Sequence, residues 1–272
     1  MSTSEKPVVL QNGHQPNKME YFVKTDSIVR KIWGKSDTIL FIFAGAAAEF
    51  ALNKAVDWLY YTGKLPSDPI GRLFSTVTYA RQIVFSEVEE ANKAIDSIAA
   101  IHQQVEHNRG FKIPDWAYRD VLFMLIDYSI RSFELLERNL TEIEREEVFK
   151  VFHKMGLRMH LTGLPENYNQ WLSIRQEHLQ NNLISSHYTT DLFKQYKKHL
   201  GAVRYQILRQ VQVLVVPPRV NTLLRLGRLP LFIPVILIYK LSRLVKLDGL
   251  IKQLILPSAY KVQIEDLDNM PH

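Results

Sequence analysis

Residues 113–139, IPDWAYRDVLFMLIDYSIRSFELLERN, carry apolar side chains almost all the way round a helical wheel. Such a helix is stable in water only at the centre of a protein, with other helices around it. The flanking sequence supplies them, since each neighbouring stretch opens or closes on a helix-terminus signal. Asp68-Pro69 pairs an N-cap with proline at the first helical position. Ser86 to Glu89 has the spacing of a capping box ahead of ANKAIDSIAAIHQQVEHNRG, which stops at Gly110. Thr141 to Glu144 has the same spacing ahead of EIEREEVFKVFHKMG, and Pro217-Pro218 interrupts the helical pattern that follows. No run of alternating strands and no internal repeat breaks this style. The expectation is an all-α protein, a single multi-helix domain of about eight to eleven helices around one apolar pocket. Residues 1–25 read as a flexible tail, 26–216 as the helical domain, and 217–272 as a basic, apolar extension.

The chain has 272 residues, enough for a sizeable core. It contains no cysteine, so disulfides, thiolate metal sites and cysteine nucleophiles are excluded. The N-terminus is polar, without the apolar segment of a secretory signal. The longest apolar run, LPLFIPVILIY (229–239), is too short to span a bilayer as a helix and is interrupted by Pro230 and Pro234. A cytoplasmic protein is expected, with membrane association through its C-terminal third. Between Asp191 and Lys252 twelve Lys or Arg face two acidic residues, so +10 of the net +6 sits there and the remainder is about −4. That asymmetry suits an anionic membrane surface or the protein's own acidic helices. Nucleic acid is not expected as a partner, because the basic residues are interleaved with aliphatics and no binding motif appears.

Three polar residues occupy positions where a core belongs. In DPIGRLFSTVTYARQIVFSE (68–87), at 100° per residue, Ile70, Leu73, Phe74, Val77, Ala80 and Val84 form one apolar face. Gly71, Ser75, Thr78 and Gln82 form the solvent side. Arg72 and Thr76 lie between them on a stripe with Tyr79 and Ile83, so the stripe is at least half-buried. A buried guanidinium is costly unless paired, and Arg72 calls for an anion. That anion is either a carboxylate on a neighbouring helix or a group carried by a cofactor. In the next helix the seam Val88, Ala91, Ile95, Ile98, His102, Val105 places a histidine at a core position, whereas His107 lies off it. His102 is either a hydrogen-bonded core residue or a neutral metal ligand. None of the nine histidines follows a glutamate at three residues' distance, which removes the di-iron bundles. No zinc helix, Walker loop or dinucleotide motif is present. One buried histidine, an apolar pocket and a cation for propionates describe b-type haem, and the pocket is expected to be haem-sized.

The ordered set Asp-Pro-x-Gly-Arg-Leu, Arg72 and Thr76 as Arg-x-x-x-Thr, and His102 one helix later resembles the rubber-oxygenase (latex-clearing protein) and ER-bound oxygenase MpaB catalytic-domain family. The likeness extends from about residue 36 to about residue 216, through VLFMLIDYSIRSFE and LTGLPENYNQWLSIR to VPPRV. It implies an all-α fold holding one haem b, with His102 as the iron ligand and Arg72 and Thr76 beside the haem. It also implies dioxygen as co-substrate and an apolar, isoprenoid- or lipid-like (polyprenyl) substrate. His107 would be a propionate or supporting residue. Two places depart from the family pattern. Leu122 stands where the family has a histidine, and AEFALNK replaces a Gln and a His-Pro pair, which puts Glu49 near the Gln position. Glu49 would then serve as a catalytic base or pair with Arg72. A binding protein without catalysis and a haem-free membrane-peripheral module are the competing functions. Asp127, Arg131 and Glu134 read as one structural network, and His153, His160, His178, His187 and His199 as surface or capping residues.

Overall fold

The computed structural model describes residues 20–63 and 67–227. These form ten helices: α1 Ile28–Trp33, α2 Ser36–Phe50, α3 Val56–Tyr61, α4 Pro69–Phe85, α5 Val88–Arg109, α6 Asp115–Leu136, α7 Glu142–Arg158, α8 Tyr168–Asn181, α9 His187–Val215 and α10 Pro218–Leu224. Extended pairing among the described residues is confined to two isolated bridges, Tyr21 with Glu87 and Asn53 with Leu183. The fold is all-α, as expected.

Helix α6 is the central element. Fourteen of its residues are buried, from Ala117 to Leu136, and α1, α2, α7, α8 and α9 pack around it. Its closest partner is α2, whose small residues Ala44, Gly45, Ala47 and Ala48 let the two backbones approach. A Cβ at Gly45 would fall 2.3 Å from the Tyr128 ring, so only glycine fits this crossing. The Trp33 indole donates to Ser129 Oγ at 3.1 Å and ties α1 to the same helix. On the other side of α2, Gln212 donates to the Ala44 carbonyl at 3.1 Å. Helix α9 is interrupted at Gly201, whose φ of 76° belongs to the left-handed region that a side chain disfavours.

Two of the three cap signals act as expected. Asp68 accepts from the Gly71 amide at 2.8 Å, and Thr141 with Glu144 forms a reciprocal capping box. The third is corrected. Ser86 ends α4 instead of capping α5, and Glu87 precedes α5 without a side-chain cap. The reason is the N-terminal segment: the Val88 amide donates to the Glu20 carbonyl at 2.8 Å, and Phe22 N donates to Ser86 O at 3.2 Å. A backbone partner satisfies the amide that the serine hydroxyl would have taken. The tail expected over residues 1–25 lies outside the described residues up to position 19. From Glu20 the chain is packed, with Phe22 and Val23 buried. The extension expected from residue 217 begins with α10, and its remainder from 228 lies outside the described residues.

Candidate functional site

The site is built on α4, the C-terminal half of α5 and the start of α6. On α4 the wheel is realised: Val77, Ala80, Ile83 and Val84 are buried, Thr78 and Gln82 are exposed, and Arg72, Thr76 and Tyr79 are half-buried. Arg72 donates to Ser75 Oγ at 3.1 Å, and the Thr76 hydroxyl donates to the Arg72 carbonyl at 3.2 Å. Burial lowers the Arg72 pKa, and the Tyr79 hydroxyl is the group that works against it. No carboxylate among the described residues forms an ion pair with this guanidinium. Among the described residues, then, Arg72 is a half-buried cation without an ion-pair partner.

Helix α5 is packed mainly through its N-terminal half, where Ala91, Ala94 and Ile95 are buried. The seam then opens, so His102 sits half-buried at the margin of the core. Burial first, and the Arg72 charge second, outweigh the Glu106 carboxylate and bring the His102 pKa down to about 4. The imidazole is neutral at pH 7, the form that binds a metal. Its Nδ1 is buried without a hydrogen-bond partner. The Tyr118 ring meets it edge-on, with centroids 5.2 Å apart and planes at 62°. Tyr118 donates its hydroxyl to Glu106 Oε1 at 2.9 Å, and the Ile113 amide donates to the same oxygen at 2.8 Å. Gly110, left-handed at φ 75°, ends α5 and turns the chain toward α6.

A cleft of about 180 Å3 opens beside His102, lined among others by Gln103, Glu106, Lys112, Tyr118 and His160. It is smaller and more polar than the haem-sized apolar pocket the sequence leads one to expect, and lies below the roughly 300–1,000 Å3 of ordinary ligand sites. As it stands it accommodates water and small polar solutes.

The structure brings Arg72, Thr76 and His102 to adjacent helices, with Arg72 close enough to bias the His102 proton. It does not bring the other two candidates to them. His107 is exposed and does not line the cleft. Glu49 is buried on α2, bound through both carboxylate oxygens to Arg175 at 2.5 and 2.6 Å and accepting the Tyr128 hydroxyl at 2.8 Å. The pairing of Glu49 with Arg72 is thus corrected to a pairing with Arg175. The network expected of Asp127, Arg131 and Glu134 is also divided. Arg131 does bind Asp127, at 2.6 Å, but Glu134 receives Arg145 at 2.6 Å.

Three features escaped sequence reading. Glu106 stands four residues after His102 and was open to detection by helical spacing. Tyr118 comes from the next helix, and His160 from the end of α7. His178 is not a surface residue; it lies against Asp120, which also accepts from Asn53 at 2.8 Å and from Asn182. Among the described residues no group of three or more His, Cys, Asp or Glu side chains could hold a metal ion. No described helix is long and apolar enough to cross a membrane.

Fold and site define a helical domain in which a neutral imidazole stands beside a guanidinium that has no ion-pair partner among the described residues. Residues 31–232 match the family described as ER-bound oxygenase mpaB/B'/Rubber oxygenase, catalytic domain, and the chain belongs to that family. Comparison with curated proteins and with solved structures gives no match. The family is that of an oxygenase catalytic domain, which implies dioxygen and an oxidisable substrate in general terms.

Proposed function

We propose that this domain is a b-type haem-dependent oxygenase acting on an apolar, isoprenoid- or lipid-like substrate, with His102 as the iron ligand. The observation that carries the reading is the coincidence of a neutral imidazole whose buried Nδ1 has no partner with a half-buried guanidinium that meets no carboxylate among the described residues. These two groups supply a ring nitrogen for a metal and a cation for a propionate, but the polar cleft of about 180 Å3 beside them does not fit the macrocycle. Haem, when bound, supplies an iron centre at which dioxygen is activated. The chain's own residues hold and shield. His102 offers its nitrogen without first having to lose a proton, Arg72 neutralises a carboxylate, and Thr76 keeps its hydroxyl proton on the Arg72 carbonyl. The basic extension from residue 217 is proposed as a contact with an anionic membrane surface in a cytoplasmic setting.

One observation favours a second reading, haem binding without catalysis. Glu49, the carboxylate nearest the family's substituted position, is locked to Arg175 and is not available as a base. A visible absorption spectrum of the chain purified with adequate haem, beside His102→Ala, tests the first step. A Soret band in the parent that is lost or shifted in the variant supports the cofactor and its ligand. A folded parent that stays colourless after haem is added overturns both readings. Dioxygen consumption with polyprenyl substrates then separates oxygenase from binding protein.

A further inference from the structure

The first half of α9 is fixed to the core along one side. Leu192, Phe193 and Tyr196 are buried in a cluster with Ala47 and Ala51 at the end of α2 and Val56 of α3. Thr189 donates its hydroxyl to the Ala51 carbonyl at 2.7 Å. The side turned away from that cluster carries Lys194, Lys197 and Lys198, which share one face at spacings of three and four and are all exposed. From Lys194 to Gly227 the chain has seven Lys or Arg and no Asp or Glu. Gly201 then breaks the helix, and a Cβ placed there would meet no atom within 4 Å, so the break stands out from the packed body. Ala202 and Val203 follow it on the surface, Val203 being 75% exposed. One exposed apolar side chain is ordinary. What singles this one out is its seat, on an outward break just after three lysines and in a stretch without an anionic residue.

We infer that this face of α9 lies on an anionic lipid surface, with Lys194, Lys197 and Lys198 at the headgroup phosphates and Ala202 and Val203 dipping below them. A bilayer suits the face better than a protein partner does. Its exposed residues are lysines, small apolar side chains and Gln206, with no aromatic among them, whereas protein interfaces concentrate Trp, Tyr and Arg. Lipid phosphates ask only for positive charge spread over a plane, which three lysines on one packed helix supply. The inference rests on the membrane contact proposed for the segment from residue 217, and adds to it a folded surface with named residues. Because α9 packs on α4, the bilayer would stand one helix away from Arg72 and Thr76, and an apolar substrate dissolved in it would reach them from that side.

The chain has no cysteine, so a single introduced one reports on a single place. Val203→Cys, carrying an environment-sensitive fluorophore, is mixed with phosphatidylcholine vesicles made with and without phosphatidylserine. Ile143→Cys on α7, where the native side chain is 82% exposed, carries the same label as the reference. The label at position 203 is expected to shift to the blue on the anionic vesicles, and the label at 143 to keep its spectrum in water. Vesicle sedimentation then compares the parent with the triple variant Lys194→Gln, Lys197→Gln and Lys198→Gln. Partition onto anionic vesicles should weaken about a hundredfold, at about fivefold per lysine, the equivalent of about 1 kcal/mol each. Removing the same charge at Lys31, Lys93 and Lys150, all exposed, should weaken it by less than about tenfold, since charges further from the lipid are screened. A parent that binds anionic vesicles while the label at 203 stays in water, or while the triple variant partitions as the parent does, overturns the inference and leaves the contact to the segment from residue 217. A parent that does not bind anionic vesicles sinks the membrane contact as a whole, this face included.

Discussion

Replacing Arg175 with methionine should remove a large share of the stability of the core. Arg175 is 3% exposed and sits between Glu49, 1% exposed, and Asp127, 7% exposed. It binds both oxygens of Glu49 and reaches Asp127 Oδ2 at 3.0 Å through Nη2 and at 3.1 Å through Nε. Without it, Asp127 still has Arg131 at 2.6 Å, but Glu49 is left with the Tyr128 hydroxyl alone. Breaking a buried pair costs about 3–5 kcal/mol because one charge stays buried without compensation. At roughly 2–4 °C per kcal/mol for a domain of this size, the melting temperature falls by roughly 6–20 °C. Urea unfolding followed by far-UV circular dichroism measures the loss directly, and an unchanged denaturant slope shows that the unfolded state is not responsible. The double variant Glu49→Leu with Arg175→Met should recover much of the loss, since no buried charge is then orphaned at that end. A loss below about 1 kcal/mol in Arg175→Met would refute the reasoning, as would a double variant less stable than the single one.

Three further outcomes follow from the same structure. His102 carries a pKa depressed to about 4 by burial and by Arg72, against about 6.5 in the unfolded chain. Its neutral burial therefore supports the fold above pH 6.5, and that support is lost as pH falls toward 4, by up to about 3 kcal/mol. Urea midpoints measured across this window should fall more steeply in the parent than in His102→Leu, and parallel profiles would show that the ring is not held neutral. Arg72→Met breaks no ion pair among the described residues, so stability should change by less than about 1 kcal/mol, and under the proposed function haem affinity should drop; a large loss of stability would reveal a partner for the guanidinium. Gly45→Ala pushes a methyl into the Tyr128 ring at 2.3 Å. The overpacking cost of about 1–3 kcal/mol should exceed the roughly 1 kcal/mol gained in helix propensity, and a raised melting temperature would mean that α2 and α6 separate easily.

What the sequence showed well was what the helical period carries. The α4 stripe and the α5 seam are local patterns: Val77, Ala80 and Val84 and then Ala91 and Ile95 are buried as the wheel assigns, while Ile83 is buried more deeply than its stripe implied and the seam opens before His102. Periodicity says nothing about which carboxylate meets which guanidinium. Glu49 and Arg175 lie 126 positions apart, and only the crossing of α2, α6 and α8 brings them together. The Ser86 cap failed for a related reason: the competing acceptor, Glu20 O, arrives from a distant segment and is a backbone group, invisible to any reading of side-chain types. Glu134 kept its expected place on α6 but bonded across the turn to Arg145, which local spacing along one helix cannot choose over Arg131. Within the site, His102 and Arg72 were found from burial arguments. Tyr118 was not, because an edge-on ring contact leaves no spacing signature.

The frame and the site have different mechanical footing. Helix α6 buries fourteen residues, whereas α5 buries three of its twenty-two. Beyond that thin apolar strip, α5 is held by ion pairs at the periphery: Asp96 to Arg158 on α7, both about half-exposed, and Arg109 to Asp57 on α3. The exposed Asp96–Arg158 pair contributes about 0–1 kcal/mol, whereas Arg109 is part-buried and also lies over the Trp58 ring at 4.0 Å. The two regions also share no hydrogen-bond partner, and changes in one should add to changes in the other. A cleft of about 180 Å3 beside His102 is consistent with a helix that must yield before anything as large as a macrocycle enters. Folding is secured on α2, α6 and α8, and under the proposed function the imidazole stands on a helix that buries only three of its twenty-two residues.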